Sequence, residues 1–294
     1  MTPWEDIAAA IGEATARPFA LVARQAIGGG CINEACLLSD GERRYFVKLN
    51  AAERLDMFEA ERAGLEEILA SASLRAPRPI CHGRAGGRAY LVLEYLELGH
   101  GGRDSAVRLG RALAAMHRHL GERHGWRRDN TIGATPQPNT PDEDWLRFFR
   151  ERRLGFQLEL AARNGHTGRL QARGERLLEV LPAFFSGHRP APSLLHGDLW
   201  SGNFGVLADG EPVIFDPAVY YGDRETDLAM TELFGGFPRA FYDAYREAWP
   251  LPPEYAVRRT LYNLYHILNH LNLFGGGYLG QALGMIDTLL SEAT

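Results

Sequence analysis

The run His196-Gly197-Asp198-Leu199-Trp200-Ser201-Gly202-Asn203, followed by Val213-Ile214-Phe215-Asp216, holds the residue types that phosphoryl transfer needs. An asparagine stands five positions after Asp198, and a second aspartate eighteen positions after it. This is the spacing of a His-x-Asp-Leu-x-x-x-Asn catalytic loop with a metal-binding aspartate behind it. In that chemistry one carboxylate, Asp198, accepts the proton of the attacking hydroxyl. The amide oxygen of Asn203 and the carboxylate of Asp216 hold magnesium against the nucleotide phosphates, so ATP and Mg2+ are the expected cofactors. Two short apolar runs, Phe204-Gly205-Val206-Leu207 and Pro212-Val213-Ile214-Phe215, flank Ala208-Asp209-Gly210-Glu211. Asp-Gly between apolar runs predicts a hairpin, because both residues tolerate positive φ. Such a hairpin returns Asn203 and Asp216 to the same open end.

Lys48 is the only lysine; the other 31 of the 32 basic residues are arginine. It sits in Arg43-Arg44-Tyr45-Phe46-Val47-Lys48-Leu49, a predicted strand after the Asp40-Gly41 turn. Alternation puts Phe46 and Lys48 on one face and Tyr45, Val47 and Leu49 on the other. A compact ammonium can bridge α- and β-phosphate oxygens where a planar guanidinium fits badly. Ahead of it, Gly28-Gly29-Gly30-Cys31-Ile32-Asn33 lies between two predicted strands, Phe19–Ile27 and Ile32–Leu38. Glycines there let backbone N–H groups approach phosphates without Cβ interference. Cys31 in that turn is a candidate redox-sensitive thiol, its thiolate favoured by N–H groups and Lys48.

A helix is predicted over Met57–Ala70. Its Glu61 is favoured over Glu59 as the Lys48 partner, because Leu65, Ile68 and Leu69 follow it on one inward face. Ala89–Leu96 reads as a strand, broken by Gly99-His100-Gly101-Gly102. The main chain of Glu94, Tyr95 and Leu96 is then available to an adenine edge. The boundary between a nucleotide-binding lobe (1–97) and a catalytic and substrate lobe (98–294) falls here. Helices are expected before it at about 4–14 and, beyond it, through Leu109, Leu113, Met116 and Leu120 after the candidate cap Asp104, then at about 143–163 and 168–185, from Glu225, over Tyr255–Phe274, and finally past Gly275-Gly276-Gly277. Arg127–Pro141 reads as a long loop. Met116 and His117 suit core packing better than ligation.

The class expected is α+β: a bilobal protein-kinase-like fold with a small β-rich first lobe and a larger, mostly helical second one. The chain's 294 residues, 45% hydrophobic, suffice for both. A net charge of −5 gives no reason to expect nucleic acid or an anionic membrane as partner. The first residues lack a basic region before an apolar run, and no apolar stretch nears the ~20 residues of a span. Three cysteines without metal spacing fit a reducing cytoplasm.

Only eight residues separate Asp216 from Glu225, too few for a peptide-docking activation segment. The acceptor is therefore a small molecule or a single modified side chain. Asp227, just inside the next predicted helix, is expected to buttress the catalytic loop by accepting its backbone N–H bonds, with His196 as a further support. At these residues the chain resembles the fructosamine kinase (ketosamine-3-kinase) family, within the aminoglycoside phosphotransferase-like kinases. The resemblance runs through Gly30-Cys31-Ile32-Asn33-Glu34, Phe46-Val47-Lys48, His196 to Asn203, Phe215-Asp216-Pro217-Ala218, Phe234-Gly235-Gly236-Phe237-Pro238 and Leu268-Asn269-His270-Leu271-Asn272. It implies ATP-dependent phosphorylation of the third-carbon hydroxyl of ketosamines, free or as glycated amine side chains. It also implies unstable 3-phosphates that release the amine, a deglycation repair. On the matching positions Asp198 is the base, Asn203 and Asp216 the magnesium ligands, and Lys48 with Glu61 the phosphate clamp. Trp200 is a candidate aromatic face for the substrate, with Asn269 and His270 as further sugar contacts. A monomer or a Cys31-linked dimer is expected. The rivals are an aminoglycoside or amino-alcohol kinase and a non-catalytic nucleotide-binding module.

Overall fold

The computed structural model describes residues 3–28 and 32–293. Helix α1 (Pro3–Ala14) lays Ile7, Ala8 and Ile11 on a five-stranded antiparallel sheet. Its strands are β1 (Ala23–Ile27), β2 (Glu34–Ser39), β3 (Arg44–Ala51), β4 (Pro79–Ala85) and β5 (Arg88–Glu94), in the order β1-β2-β3-β5-β4. The two-residue period sorts β3 as expected. Val47 and Leu49 pack with Cys36, Leu38, Tyr90 and Val92 under α1, while Phe46 faces the main core and Lys48 turns into the cleft. Helix α2 (Leu55–Ala70) crosses that second face, burying Met57, Phe58, Leu65 and Ile68.

Several edges differ from the pattern-based expectation. The first strand starts at Ala23, and Phe19 is buried ahead of it, next to Pro18, which has no N–H for a ladder. The second begins at Glu34, not Ile32. Tyr95 and Leu96 lie past the end of β5. Strand β4 escaped prediction because Pro79, His82, Gly83 and Arg84 break its alternation. It is an edge strand with a register shift between Pro79 and Cys81, where proline is tolerated.

Past Glu94 the chain leaves the sheet and enters α3 (Arg103–His117). Gly102 occupies its cap position; the expected cap, Asp104, lies inside the first turn. The segment expected to be a plain loop forms a ribbon, β6 (Asn130–Ile132) with β7 (Thr135–Gln137). Polar side chains drive it: Asn130, Gln137 and Asn139 are buried and bonded to one another. Arg153, fully buried, donates to Pro138 O and Asn139 Oδ1 and lies over the rings of Phe148 and Tyr220. The helix expected over 143–163 is split into α4 (Trp145–Phe148), a π-helical stretch over Phe149–Gly155 that contains Arg153, and α5 (Phe156–Arg163).

There follow α6 (Arg169–Val180), β8 (Ser193–Leu195), β9 (Phe204–Val206), β10 (Pro212–Ile214), β11 (Tyr220–Gly222), α7 (Glu225–Leu233), α8 (Arg239–Ala248), α9 (Tyr255–Phe274) and α10 (Leu279–Glu292). Helices α3 and α8, α7 and α9, and α9 and α10 pack pairwise around one core. The architecture is α+β, with the strands of the large sheet in the first third and the helices dominating the rest. Among the described residues, no helix is long and apolar enough to cross a membrane.

Candidate active site

Residues 196–203 run from β8 to β9, and their shape is set by burial of Asp227. One Asp227 oxygen accepts the N–H of His196 (2.7 Å), the other that of Gly197 (2.8 Å). His117 Nε2 donates to the same carboxylate at 3.1 Å, and its Nδ1 accepts from Tyr245 Oη (2.8 Å). Burial pushes the His117 pKa down, and its Nε2–H holds Asp227 by donation. Burial alone would raise Asp227, but His117 and the Gly197 N–H keep its pKa below the ordinary value. His196 is also fully buried. Its Nε2–H donates to Phe215 O (3.0 Å), and its Nδ1 accepts from Asp198 N (3.2 Å), which fixes the tautomer. Gly197 has φ +83°, and a Cβ there would sit 2.1 Å from Ala218 O, so only glycine fits the turn.

Strands β9 and β10 form the expected hairpin, Phe204 opposite Ile214. The Phe215 N–H donates to Asn203 O at 3.1 Å, which brings Asn203 beside Asp216. Asn203 Nδ2 donates to Asp198 O (2.9 Å) and Oδ2 (3.2 Å). Burial first, then the charge of Asp216, raises the Asp198 pKa to about 7, against the Asn203 hydrogen bond. Asp216 adopts φ +58°, a left-handed conformation uncommon outside glycine, which aims its half-exposed carboxylate into the cleft.

Lys48 reaches that carboxylate from the opposite side, Nζ to Asp216 Oδ1 at 2.5 Å, and Glu61 Oε1 lies 2.6 Å away. Burial works against the ammonium, but the two carboxylates outweigh it and raise its pKa. Burial lifts Glu61 as well, with Lys48 opposing. Helix α2 is held in place by contacts with the chain beyond residue 97. Gly64 packs on Val219 and Pro217, Tyr221 Oη donates to Glu67 (2.7 Å), and Arg128 pairs with Asp56 (2.5 Å).

Two cavities meet at Lys48 and Asp216. The larger, about 700 Å3, is lined by Gly28, Asn33, Ala35, Phe46, Pro77 and the main-chain run Leu93–Leu98. Its apolar walls and strand edge suit a flat heterocycle. The Glu94 N–H donates to Arg78 O (2.8 Å) and its carboxylate accepts from Arg75 (2.6 Å), whereas the N–H groups of Tyr95 and Leu96 have no such partner among the described residues. Asn33 is tied to Asn50 (2.7 Å) and borders both cavities. Gly29, Gly30 and Cys31 lie outside the described residues.

The smaller cavity, about 330 Å3, gathers Asp198, Trp200, Asn203, Asn269 and His270. Trp200 is 37% exposed and meets Phe234 edge to face. Asn269 is buried and bonded to Gln157 (3.3 Å); His270 donates from Nδ1 to His266 O (2.8 Å). Sequence reasoning missed Met57, Ala60, Asn130–Gly133, Leu273 and Phe274 on its walls. Only the Asn130-Thr131-Ile132-Gly133 interruption was visible beforehand, and it read as a loop. A further cluster, His188, Asp223 and Glu225, lies apart from both cavities. Its donors are taken: His188 and Tyr262 bond Asp223, and Arg258 clamps Glu225.

The fructosamine kinase family model matches residues 3–292. A protein of Synechocystis sp. named probable ketoamine kinase is 53% identical over 98% of this chain and 97% of its own length. A chloroplastic protein-ribulosamine 3-kinase of Oryza sativa subsp. indica is 42% identical over 97% of this chain and 86% of its own. A crystal structure from Haemophilus somnus, assigned to the fructosamine-3-kinases, superposes with a TM-score of 0.91 at 29% identity, over 98% and 97% of the two chains. A thermostable aminoglycoside phosphotransferase mutant, in complex with ADP and hygromycin B, shares the fold alone, with a TM-score of 0.64 at 15% identity over 97% and 98%. The fold is thus the bilobal kinase-like one expected, and the chain belongs to the fructosamine kinase family.

Proposed function

We propose that this kinase transfers the γ-phosphoryl group of ATP to the 3-hydroxyl of ketosamines, whether free or formed on protein amine side chains. The carrying observation is the convergence of Asp198, Asn203, Asp216 and Lys48 where the two cavities meet. The larger cavity takes the nucleotide, with its base between the Phe46 side and the Tyr95–Leu96 edge and its phosphates directed at Lys48. The smaller takes the ketosamine, against Trp200, Asn269 and His270. The first lobe, ending near residue 97, is the nucleotide lobe.

Asp198 receives the proton from the acceptor hydroxyl. Its carboxylate is oriented by Asn203 Nδ2, and its pKa near 7 makes it a competent base at neutral pH. Lys48 is held by two carboxylates at 2.5 and 2.6 Å, so its charge needs no rearrangement before phosphate arrives. The donors suit magnesium. Asn203 commits its amide nitrogen to Asp198, leaving Oδ1 as a hard oxygen donor, and the Asp216 carboxylate opens on the cleft. When bound there, the ion would neutralise charge on the transferring phosphates. Asp227 and His196 keep the loop rigid. A reducing compartment, the cytoplasm, is the working setting.

The test is ADP release with ribulosamine, fructosamine and aminoglycoside acceptors in parallel. Ketosamine-dependent release is expected. Release with aminoglycosides only would overturn the reading.

A further inference from the structure

Covalent geometry restricts where the amine half of a ketosamine can go. Its nitrogen is four bonds from the 3-hydroxyl oxygen, so it lies within about 5 Å of the group that Asp198 deprotonates. Three rings, Trp200, His270 and Phe274, line the acceptor cavity with Asp198, and Phe234 and Tyr278 pack against them. Trp200 meets Phe234 (ring centroids 6.1 Å), Phe234 meets His270 (4.9 Å), and His270 meets Phe274 (5.5 Å) and Tyr278 (5.2 Å). Trp200, His270 and Phe274 border the same cavity as Asp198. Only five large hydrophobic side chains are exposed among the described residues, and Trp200 and Phe274 are two of them. A ligand in the cavity would cover both exposed rings.

The chemistry of His270 narrows the ligand. Its Nδ1–H is spent on His266 O, so in the neutral ring Nε2 carries the lone pair, and Nε2 has no protein partner among the described residues. Burial pushes the His270 pKa down, which keeps that lone pair available. An acceptor nitrogen set among π-faces matches a protonated secondary amine on an alkyl stem.

Resting on the ketosamine reading, we propose that Trp200, His270 and Phe274, backed by Phe234 and Tyr278, form the subsite for the amine half of the substrate. The ammonium donates to His270 Nε2, and the alkyl stem, a lysine side chain or its equivalent, runs outward over Phe274. This track leads from the reacting hydroxyl to solvent, as an adduct still attached to a peptide requires.

The experiment compares one ketose linked to methylamine or to Nα-acetyl-lysine, in the parent, Phe274→Ala, His270→Phe and His270→Gln. Phe274→Ala is expected to lower the acetyl-lysine to methylamine ratio of kcat/KM roughly tenfold, because only the longer adduct buries an apolar stem against that ring. His270→Phe keeps a ring and loses the acceptor, so KM for both adducts rises about tenfold with kcat little changed. His270→Gln restores an acceptor and recovers most of that loss. An unchanged ratio in Phe274→Ala, or a glutamine variant no better than phenylalanine, overturns the subsite while the parent's turnover upholds the ketosamine reading. If the parent turns over neither adduct, both fall together.

Discussion

The two cavities that meet at Lys48 and Asp216 are built differently. The larger is walled by consecutive stretches of chain: a strand face with Phe46 and Lys48, the run Leu93–Leu98, and a hairpin ending in Asp216. The smaller is assembled from parts far apart in sequence: Met57 and Ala60 on α2, Asn130–Gly133, residues of the 196–203 loop, and Asn269 to Phe274 on α9. On the proposed assignment, a cofactor shared by many kinases is held by local, periodic structure, whereas the variable acceptor is met by tertiary packing. Damage to the shared floor should therefore abolish turnover for every acceptor. Damage to the assembled wall should alter selectivity.

The largest effect is expected for Asp198→Asn, a loss of roughly 10²–10⁴ in turnover with ATP binding retained, because only the proton acceptor is removed. Stopped-flow or initial-rate kinetics alongside nucleotide titration checks it; parent-like turnover would dissolve the distinction between floor and wall. Lys48→Arg comes next. The ammonium is enclosed between Glu61 and Asp216, and a planar guanidinium cannot occupy that point, so activity is expected to fall at least tenfold, by about 1.4 kcal/mol or more. An arginine variant with the parent's kcat/KM for ATP would make the lone lysine incidental.

Asp227→Asn should cost about 1–3 kcal/mol, because one of the two buried N–H groups of His196 and Gly197 loses its acceptor. Denaturant unfolding measures the loss, and kcat should fall with it as the Asp198 loop loosens. Unchanged stability would remove the buttress from the account.

The smallest effect concerns stability and pH in protein free of nucleotide and metal. The folded-state pKa of Asp198 is raised from 3.8 to about 7, so the folded protein binds more protons than the unfolded chain between those values. Asp198 thus contributes no penalty below about pH 4, and stability declines as pH rises through 7. Asp198→Asn should therefore melt higher than the parent at pH 8, by a few degrees, with the gap closing near pH 4. A gap that is constant with pH would mean that Asp198 is not strained by burial.

The same contrast explains what the sequence made legible. Catalytic-loop geometry is local, fixed by spacing and by a hairpin whose ends must meet, so Asp198, Asn203 and Asp216 were found together. Alternation alone put Lys48 into the cleft. Glu61 was reachable because it shares the buried side of α2 with Leu65 and Ile68. Strands β8 and β11, three residues each, are too short to carry a period. The β6–β7 ribbon is held by buried amides and Arg153, polar residues that read as loop. Phe274 stood as the last residue of the predicted Tyr255–Phe274 helix, and its place on the wall of the smaller cavity follows only from packing against His270 and Tyr278.

The position of the transferred phosphate tests the central claim most directly. Incubating the parent with ATP, magnesium and fructosamine, and following phosphorus-31 and proton correlation spectra, assigns the phosphorylated carbon. The account predicts a phosphate ester on carbon 3 that forms in the parent, is lost in Asp198→Asn, and decays with release of the free amine. A stable ester on any other carbon, or ADP release without a phosphorylated ketosamine, would contradict it.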